Sequence, residues 1–279
     1  MTRSVFPVRL LALDLDGTLM GPDRVIRPRV RRAIAAALDA GVIVTIATGR
    51  MYRSSLPFAR TLGIAAPIVC YQGAYVREVP GSDGAAGRLL FHRTMPGVVA
   101  RDAIRWSRGH GFDPHVNVDD RLVMEADAGS AADYERLSGV GAEFVPDLLG
   151  AVRGPLTKVL AVGPAPLPER SLAEARAAFE GRAQVTVSHP EYLEWNAPGV
   201  TKGRGVRWLA RRLSIPVGQI MAIGDQYNDA EMLADVGHGV AMGGAPEPVR
   251  AAARHVTATL EADGAALAIE ALVLGREAA

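Results

Sequence analysis

The sequence is poor in cysteine, in aromatic residues and in any excess of one charge. Its 279 residues include a single cysteine, Cys70, so no internal disulfide can form. Cys70 lies in the apolar run Ile68-Val69-Cys70-Tyr71, where a thiol behaves as a small buried hydrophobe rather than a nucleophile. One unpaired cysteine fits a reducing compartment, and a cytoplasmic location is expected. Lys and Arg number 31 and Asp and Glu 30, a formal net charge of +1. That balance gives no sign of the basic surface a nucleic-acid partner needs. No apolar run is long enough to span a bilayer, so no membrane partner is expected. Asp14 and Asp16 interrupt the first apolar run too early for a signal-peptide core. Aromatics make up 5% of the chain against 49% for all hydrophobic residues. The core is therefore built from Ala, Val, Leu and Ile, as in an ordinary globular chain with room for one large or two modest domains.

What is present is an alternation of strand and helix signals. Val8 to Leu15 reads as a buried strand, and Val42 to Ala47 as a second, strongly β-branched one. Between them Pro28 opens a helix whose face carries Val30, Ile34, Ala37 and Leu38, stopped by Gly41. A helix over Arg53 to Leu62 and a strand over Pro67 to Tyr71 follow. The tail repeats the pattern: helix Lys202–Ser214, strand Gln219–Ile223, helix Asp229–Asp235, strand Gly239–Met242, and helices Pro246–Ala253 and Gly264–Leu274. Strands separated by helices at this spacing imply a parallel, doubly wound sheet, Rossmann-like in architecture. The middle differs. Its strands (Phe112–Val118, Arg121–Ala126, Lys158–Val162) are shorter and more alternating, with helices at Val98–Arg108 and Glu169–Phe179. Gly81-Ser82-Asp83-Gly84 suits a boundary, and Gly163-Pro164-Ala165-Pro166 a break. The expected organisation is an α/β core from residues 1–83 and 190–279, with residues 84–189 an inserted α+β module. Pattern alone does not separate core from interface, so the oligomeric state stays unknown.

Four short stretches carry the polar chemistry. Asp14 and Asp16 follow a buried strand directly, and ligands of open parallel sheets bind beyond the carboxyl ends of strands. Two carboxylates this close repel each other unless one holds a proton or a cation lies nearby. Thr48-Gly49-Arg50 ends the next strand with a hydroxyl, free N–H groups and a guanidinium, which suit a phosphate. Taken alone, Thr48-Gly49 is also a plain turn. Lys202 opens a helix, where its charge opposes the macrodipole unless an anion pairs with it. Gly224-Asp225-Gln226-Tyr227-Asn228-Asp229 follows another strand; its oxygens suit a hard divalent cation such as Mg²⁺. Asn228 is equally a good helix N-cap, with Glu231 completing a capping box. What favours chemistry is the order, since each stretch stands at a strand end or at the start of the next helix.

These motifs together resemble those of the haloacid dehalogenase superfamily, and most closely its Cof-type branch, whose cap lies between the Thr and Lys motifs. Asp-Leu-Asp-Gly-Thr-Leu, Ala-Thr-Gly-Arg, Lys-Gly and Gly-Asp-x-x-Asn-Asp occur in family order across nearly the whole chain. The resemblance implies a phosphatase of a small phosphorylated metabolite. Asp14 is then the nucleophile and Asp16 the general acid and base. Mg²⁺ is held by Asp14, the Asp16 carbonyl and Asp225, with Asp229 behind them. Thr48, Gly49, Lys202 and Asn228 hold the phosphoryl group. Two positions depart from the family pattern: Gln72 stands for the usual Asn, and Gly244 stands for an Asn after Met-Gly. The cap residues His115, Asn117, His189, Tyr192 and Glu194 are candidates to face the site, each with an ordinary sheet role as the alternative. A phosphomutase on the same scaffold would need clustered cap arginines, whereas Arg121, Arg136 and Arg153 are scattered in sequence. A non-catalytic phospho-metabolite sensor would be expected to have lost a motif residue.

Overall fold

The computed structural model describes residues 7–81, 87–126, 128–164 and 166–276. In chain order the elements are β1 (Leu10–Leu13), α1 (Pro28–Asp39), β2 (Ile43–Ile46), α2 (Tyr52–Thr61), β3 (Ile68–Cys70), β4 (Tyr75–Arg77) and β5 (Leu89–His92). Then come α3 (Gly97–Gly109), β6 (Asp113–Val118), β7 (Arg121–Glu125), α4 (Ala131–Ser138), β8 (Ala142–Val145), α5 (Leu148–Ala151), β9 (Lys158–Val162), α6 (Glu169–Ala178), β10 (Gln184–His189) and β11 (Tyr192–Asn196). The chain closes with α7 (Lys202–Arg212), β12 (Ile220–Gly224), α8 (Ala230–Asp235), β13 (His238–Ala241), α9 (Glu247–Ala252), β14 (His255–Val256) and α10 (Gly264–Leu272).

The principal sheet has the order β14-β13-β12-β1-β2, every pair parallel. Alternation along β1 shows why helices cover both faces. Leu11 and Leu13 join α1 and α10 in one apolar cluster, while Leu10 and Ala12 join α7, α8 and α9 in another. This is the expected doubly wound α/β core. β3 differs from expectation: it touches the end of β2 through one parallel bridge, Ala47 to Val69, but its ladder is antiparallel with β4, and β4 pairs in turn with β5. The second sheet, β10-β11-β9-β6-β7-β8, is largely antiparallel, only the β7–β8 pair being parallel. Its rear face carries Val116, Val159 and Trp195 in register, all buried. The opposite face carries His115, Leu160 and Glu194 in one row and Asn117, Lys158 and Asn196 in another.

The 83/84 boundary and Ala165 lie outside the described residues. The 189/190 boundary falls within the β10–β11 hairpin, and β11 is hydrogen-bonded to both β10 and β9, so the cap sheet runs on to Asn196. The hairpin escaped the hydrophobic pattern because Ser188, Glu194 and Asn196 are polar on the face that a simple sheet would make apolar.

Candidate active site

β1 lies between β12 and β2, so three chain segments far apart in sequence end side by side. Asp14 follows β1, Asp225 follows β12, and Thr48 stands two residues past β2. Backbone bonds fix the alignment: Asp14 N–H donates to the Ile223 carbonyl and Ala47 N–H to the Leu13 carbonyl. Gly17 has φ +80°, and a Cβ there would lie 2.1 Å from Asp225 Oδ2. Only glycine lets the turn after β1 come against the Asp225 carboxylate. Thr18 Oγ1 donates to Asp225 Oδ1 at 2.8 Å and orients it.

Ligand oxygens of Asp14, Asp225 and Asp229 lie within 4.8 Å of one another, and all three residues are buried. Lys202 Nζ donates to Asp14 Oδ1 at 2.6 Å and to Asp229 Oδ1 at 2.7 Å. Burial pushes the Asp14 carboxyl well above the usual carboxylate range; Lys202 opposes the rise, and Asp229, Asp225 and Asp16 add to it. Asp225 is pushed up to about 6, chiefly by burial and then by Asp229. Burial works against the Lys202 charge, but Asp14 and Asp229 carry its pKa above the ordinary lysine value. A lysine at a helix N-terminus is thus kept charged by two buried anions.

Asp229 does not act as a helix cap. It occupies the N-cap position of α8, yet its Oδ2 accepts from the backbone N–H groups of Asp225 and Gln226 at 3.1 and 3.0 Å. Asn228 is no cap either: its Nδ2 donates to Gln72 Oε1 at 3.1 Å. Asp16 is paired with Arg50. Its carboxylate forms a two-pronged pair with Arg50, Nε to Oδ2 at 2.6 Å and Nη2 to Oδ1 at 2.7 Å. Thr48 Oγ1 accepts from Arg50 N–H, which shapes the Thr48-Gly49-Arg50 turn. A Cβ on Gly49 would lie 2.5 Å from Gln72 Nε2, so the Gln72 amide abuts the turn.

A cavity of about 320 Å³ opens over this floor, lined by Asp14, Asp16, Thr48, Gly49, Lys202, Asp225 and Asn228. Its cap wall includes Tyr134, Leu160, His189, Tyr192 and Glu194. Of the cap candidates, His189, Tyr192 and Glu194 reach the cavity, whereas His115 and Asn117 are fully buried behind it and do not line it. Burial, with Lys158 nearby, takes the His115 imidazole down to about 3. Arg121, Arg136 and Arg153 are exposed and none lines the cavity, and Gly244 is exposed away from it. Sequence reasoning gave Arg50 only a phosphate role and did not single out Thr18, Lys158 or Ser188. The last two sit in cap strands whose polar faces look like ordinary surface until the core is laid against them.

Known proteins share this chain's sequence pattern and fold. A sequence model described as haloacid dehalogenase-like hydrolase matches residues 11–269. An HMP-PP phosphatase of Serratia proteamaculans is 31% identical over 241 residues, 85% of this chain and 84% of that one. A 5-amino-6-(5-phospho-D-ribitylamino)uracil phosphatase of Bacillus subtilis is 30% identical, over 92% of this chain and 94% of its own. The crystal structure of a haloacid dehalogenase-like hydrolase from Bacteroides thetaiotaomicron superposes with a TM-score of 0.81 at 27% identity, covering 94% of this chain and 98% of that one. Among the described residues no helix is long and apolar enough to cross a membrane.

Proposed function

The chain belongs to the haloacid dehalogenase-like hydrolase family and is a phosphatase, and from that premise we propose that it hydrolyses a small phosphomonoester, a sugar phosphate or similar metabolite, through an aspartyl-phosphate at Asp14 with Mg²⁺. The observation that carries the reading is the charge count on the site floor. Three buried carboxylates face one ammonium. Fully ionised, they leave a formal deficit of two, which a divalent cation cancels. All the donors are oxygens, as a hard ion requires. Asp14, Asp225 and the Asp16 backbone carbonyl would hold Mg²⁺, with Asp229 supporting from behind through Lys202 and the Asp225 and Gln226 amides. Bound there, the ion would supply charge neutralisation for the phosphoryl oxygens and for Asp14.

The chain's own groups then divide the work. Asp14 must be ionised to attack phosphorus; burial opposes that, and Lys202 at 2.6 Å favours it. Its carboxylate forms the O–P bond as the ester O–P bond breaks. Asp16 gives its proton to the departing alcohol oxygen. In the second step a water attacks phosphorus, Asp16 takes the water's proton, and the Asp14–phosphate bond breaks, releasing inorganic phosphate. In the structure Asp16 is held by Arg50, so its proton role calls for the guanidinium to release it when substrate enters. Thr48, Gly49, Lys202 and Asn228 would hold the phosphoryl oxygens, leaving catalysis mostly to positioning and electrostatics. The cap wall over the cavity would exclude water and select the leaving group. The test is phosphate release from p-nitrophenyl phosphate and a panel of sugar phosphates, with Mg²⁺ and with EDTA, for the wild type and Asp14→Asn. Turnover that survives Asp14→Asn would overturn the mechanism.

A further inference from the structure

Gln72, the position that departs from the family's Asn, joins the cap to the floor of the site. It is buried, with φ +57°, and its amide lies between Asn228 of the core and Glu194 of β11. Gln72 Nε2 donates to Glu194 Oε2 at 3.0 Å, and Asn228 Nδ2 donates to Gln72 Oε1 at 3.1 Å. The other oxygen of Glu194 accepts from Lys158 Nζ at 3.0 Å and from Ser188 Oγ at 2.6 Å. Lys158 Nζ reaches on to the Gly49 carbonyl at 3.2 Å. Glu194 and Lys158 are each 2% exposed or less, so solvent does not compete for the Glu194 bonds to Lys158 and Gln72.

The polarity of this chain follows from the chemistry of its cap end. Beside an ammonium, the Glu194 carboxylate only accepts hydrogen bonds. It therefore draws the nitrogen end of the Gln72 amide, and the oxygen end must face Asn228. Asn228 answers with Nδ2. One of the two Nδ2 hydrogens is then committed, and the other stays a donor on a side chain that lines the cavity beside Asp14. An asparagine at position 72 is one methylene shorter and could not reach both neighbours from the same backbone. We propose that Glu194 is a positioning residue of the cap: acting through Gln72, it sets the amide orientation of Asn228 and so makes it a donor to the phosphoryl group. The inference rests on the phosphate-holding role proposed for Asn228. A strut that merely joined cap to core would work with either amide polarity; this one works with one.

The test is the affinity of the full-length protein for inorganic phosphate in Mg²⁺, by isothermal titration, with KM and kcat for p-nitrophenyl phosphate beside it. Glu194→Gln can donate as well as accept and releases the constraint. It should weaken phosphate binding and raise KM about tenfold, the scale of one hydrogen bond to an anion, with a smaller change in kcat. Asn228→Ala should lose about as much, and the double variant should bind no more weakly than Asn228→Ala alone. Exchanging the two ends, Gln72→Glu with Glu194→Gln, sets an acceptor-only carboxylate against Asn228 and should recover the phosphate affinity that Glu194→Gln alone loses. Should Glu194→Gln fail to fold, Gln72→Ala carries the same cycle with Asn228→Ala. Unchanged affinity in Glu194→Gln, or losses that add in the double variant, would overturn the proposal while leaving the phosphatase reading in place. A wild type that binds no phosphate would sink both.

Discussion

Replacing Asp225 by Asn should make the metal-free protein more stable, although it removes a residue of the candidate metal site. The reasoning starts from burial. Asp225 is 8% exposed, and its carboxyl is pushed from 3.8 to about 6 by burial and then by Asp229. A tenfold loss of acidity on folding is worth about 1.4 kcal/mol, so holding Asp225 ionised costs the fold on the order of 3 kcal/mol at pH 7.5. Below about pH 4 the side chain is protonated in both folded and unfolded chains, and the cost is absent. As pH rises through the window from about 4 to about 6, the unfolded chain releases its proton first. Stability falls across that window and the full cost stands above it. The asparagine side chain of Asp225→Asn keeps an oxygen for the Thr18 hydroxyl and carries no charge. The variant should therefore melt higher than the wild type at pH 7.5 without metal, by roughly 6–12 °C on the scale of a domain of this size. The gap should close as pH approaches 4.

Magnesium should cancel most of that advantage. A cation bound only by the folded protein stabilises it by about 2.7 kcal/mol at a hundred times its Kd. The wild type should show that gain and Asp225→Asn should show little of it. Thermal melts of both proteins at several pH values, with EDTA and with MgCl2, check all of this at once. A variant less stable than the wild type in EDTA at pH 7.5 would refute the charge-crowding account of the site floor.

Three further outcomes follow from other parts of the molecule. Asp14→Asn should cut phosphate release by roughly a thousandfold or more while leaving the far-UV spectrum unchanged, since it removes the bond-forming oxygen and keeps the side chain's shape. Asp120, in the β6–β7 turn of the cap, accepts from the first N–H groups of α2 at Tyr52 and Arg53 and from the buried Tyr71 hydroxyl. Asp120→Ala removes an N-terminal cap and orphans a buried hydroxyl, so it should lower the unfolding free energy by about 2–4 kcal/mol, read from denaturant melts. Burial drives the Cys70 thiol far up, so it should be silent to a disulfide exchange reagent in the folded protein and react only after denaturation.

The core was legible in the sequence because its signals are local. Val42 to Ala47 is β-branched almost throughout, and Pro28 and Gly41 bracket a helix whose apolar spacing is plain. The β3–β4–β5 ladder was not legible, since its strands are only three or four residues long and β5 is half-exposed. Within the site the residue types were readable and their partners were not. Asn228-Asp229-x-Glu231 has the composition of a helix cap, and local reasoning gives it that role. What overrides it is Lys202, which is 27 residues away in sequence and takes Asp229 Oδ1, and Gln72, which is 156 away and takes Asn228. Asp16 likewise stands two residues from Asp14 in sequence, yet its carboxylate is taken by Arg50, 34 residues on.

These long-range pairings share a physical origin in the strand order. β1 sits between β12 and β2, so the segments after Leu13, Ile46 and Gly224 must meet whatever their side chains prefer. The apolar faces of the strands enforce that meeting, and the polar residues are its passengers. A cluster of three carboxylates such as Asp14, Asp225 and Asp229 could not assemble on its own account, because repulsion and desolvation both oppose it. It is held together by burial on either side of the sheet and by one lysine at the head of α7. The energy stored in that crowding is released by whatever brings positive charge to the floor. That is why the same three carboxylates that weaken the metal-free fold are suited to binding a divalent cation.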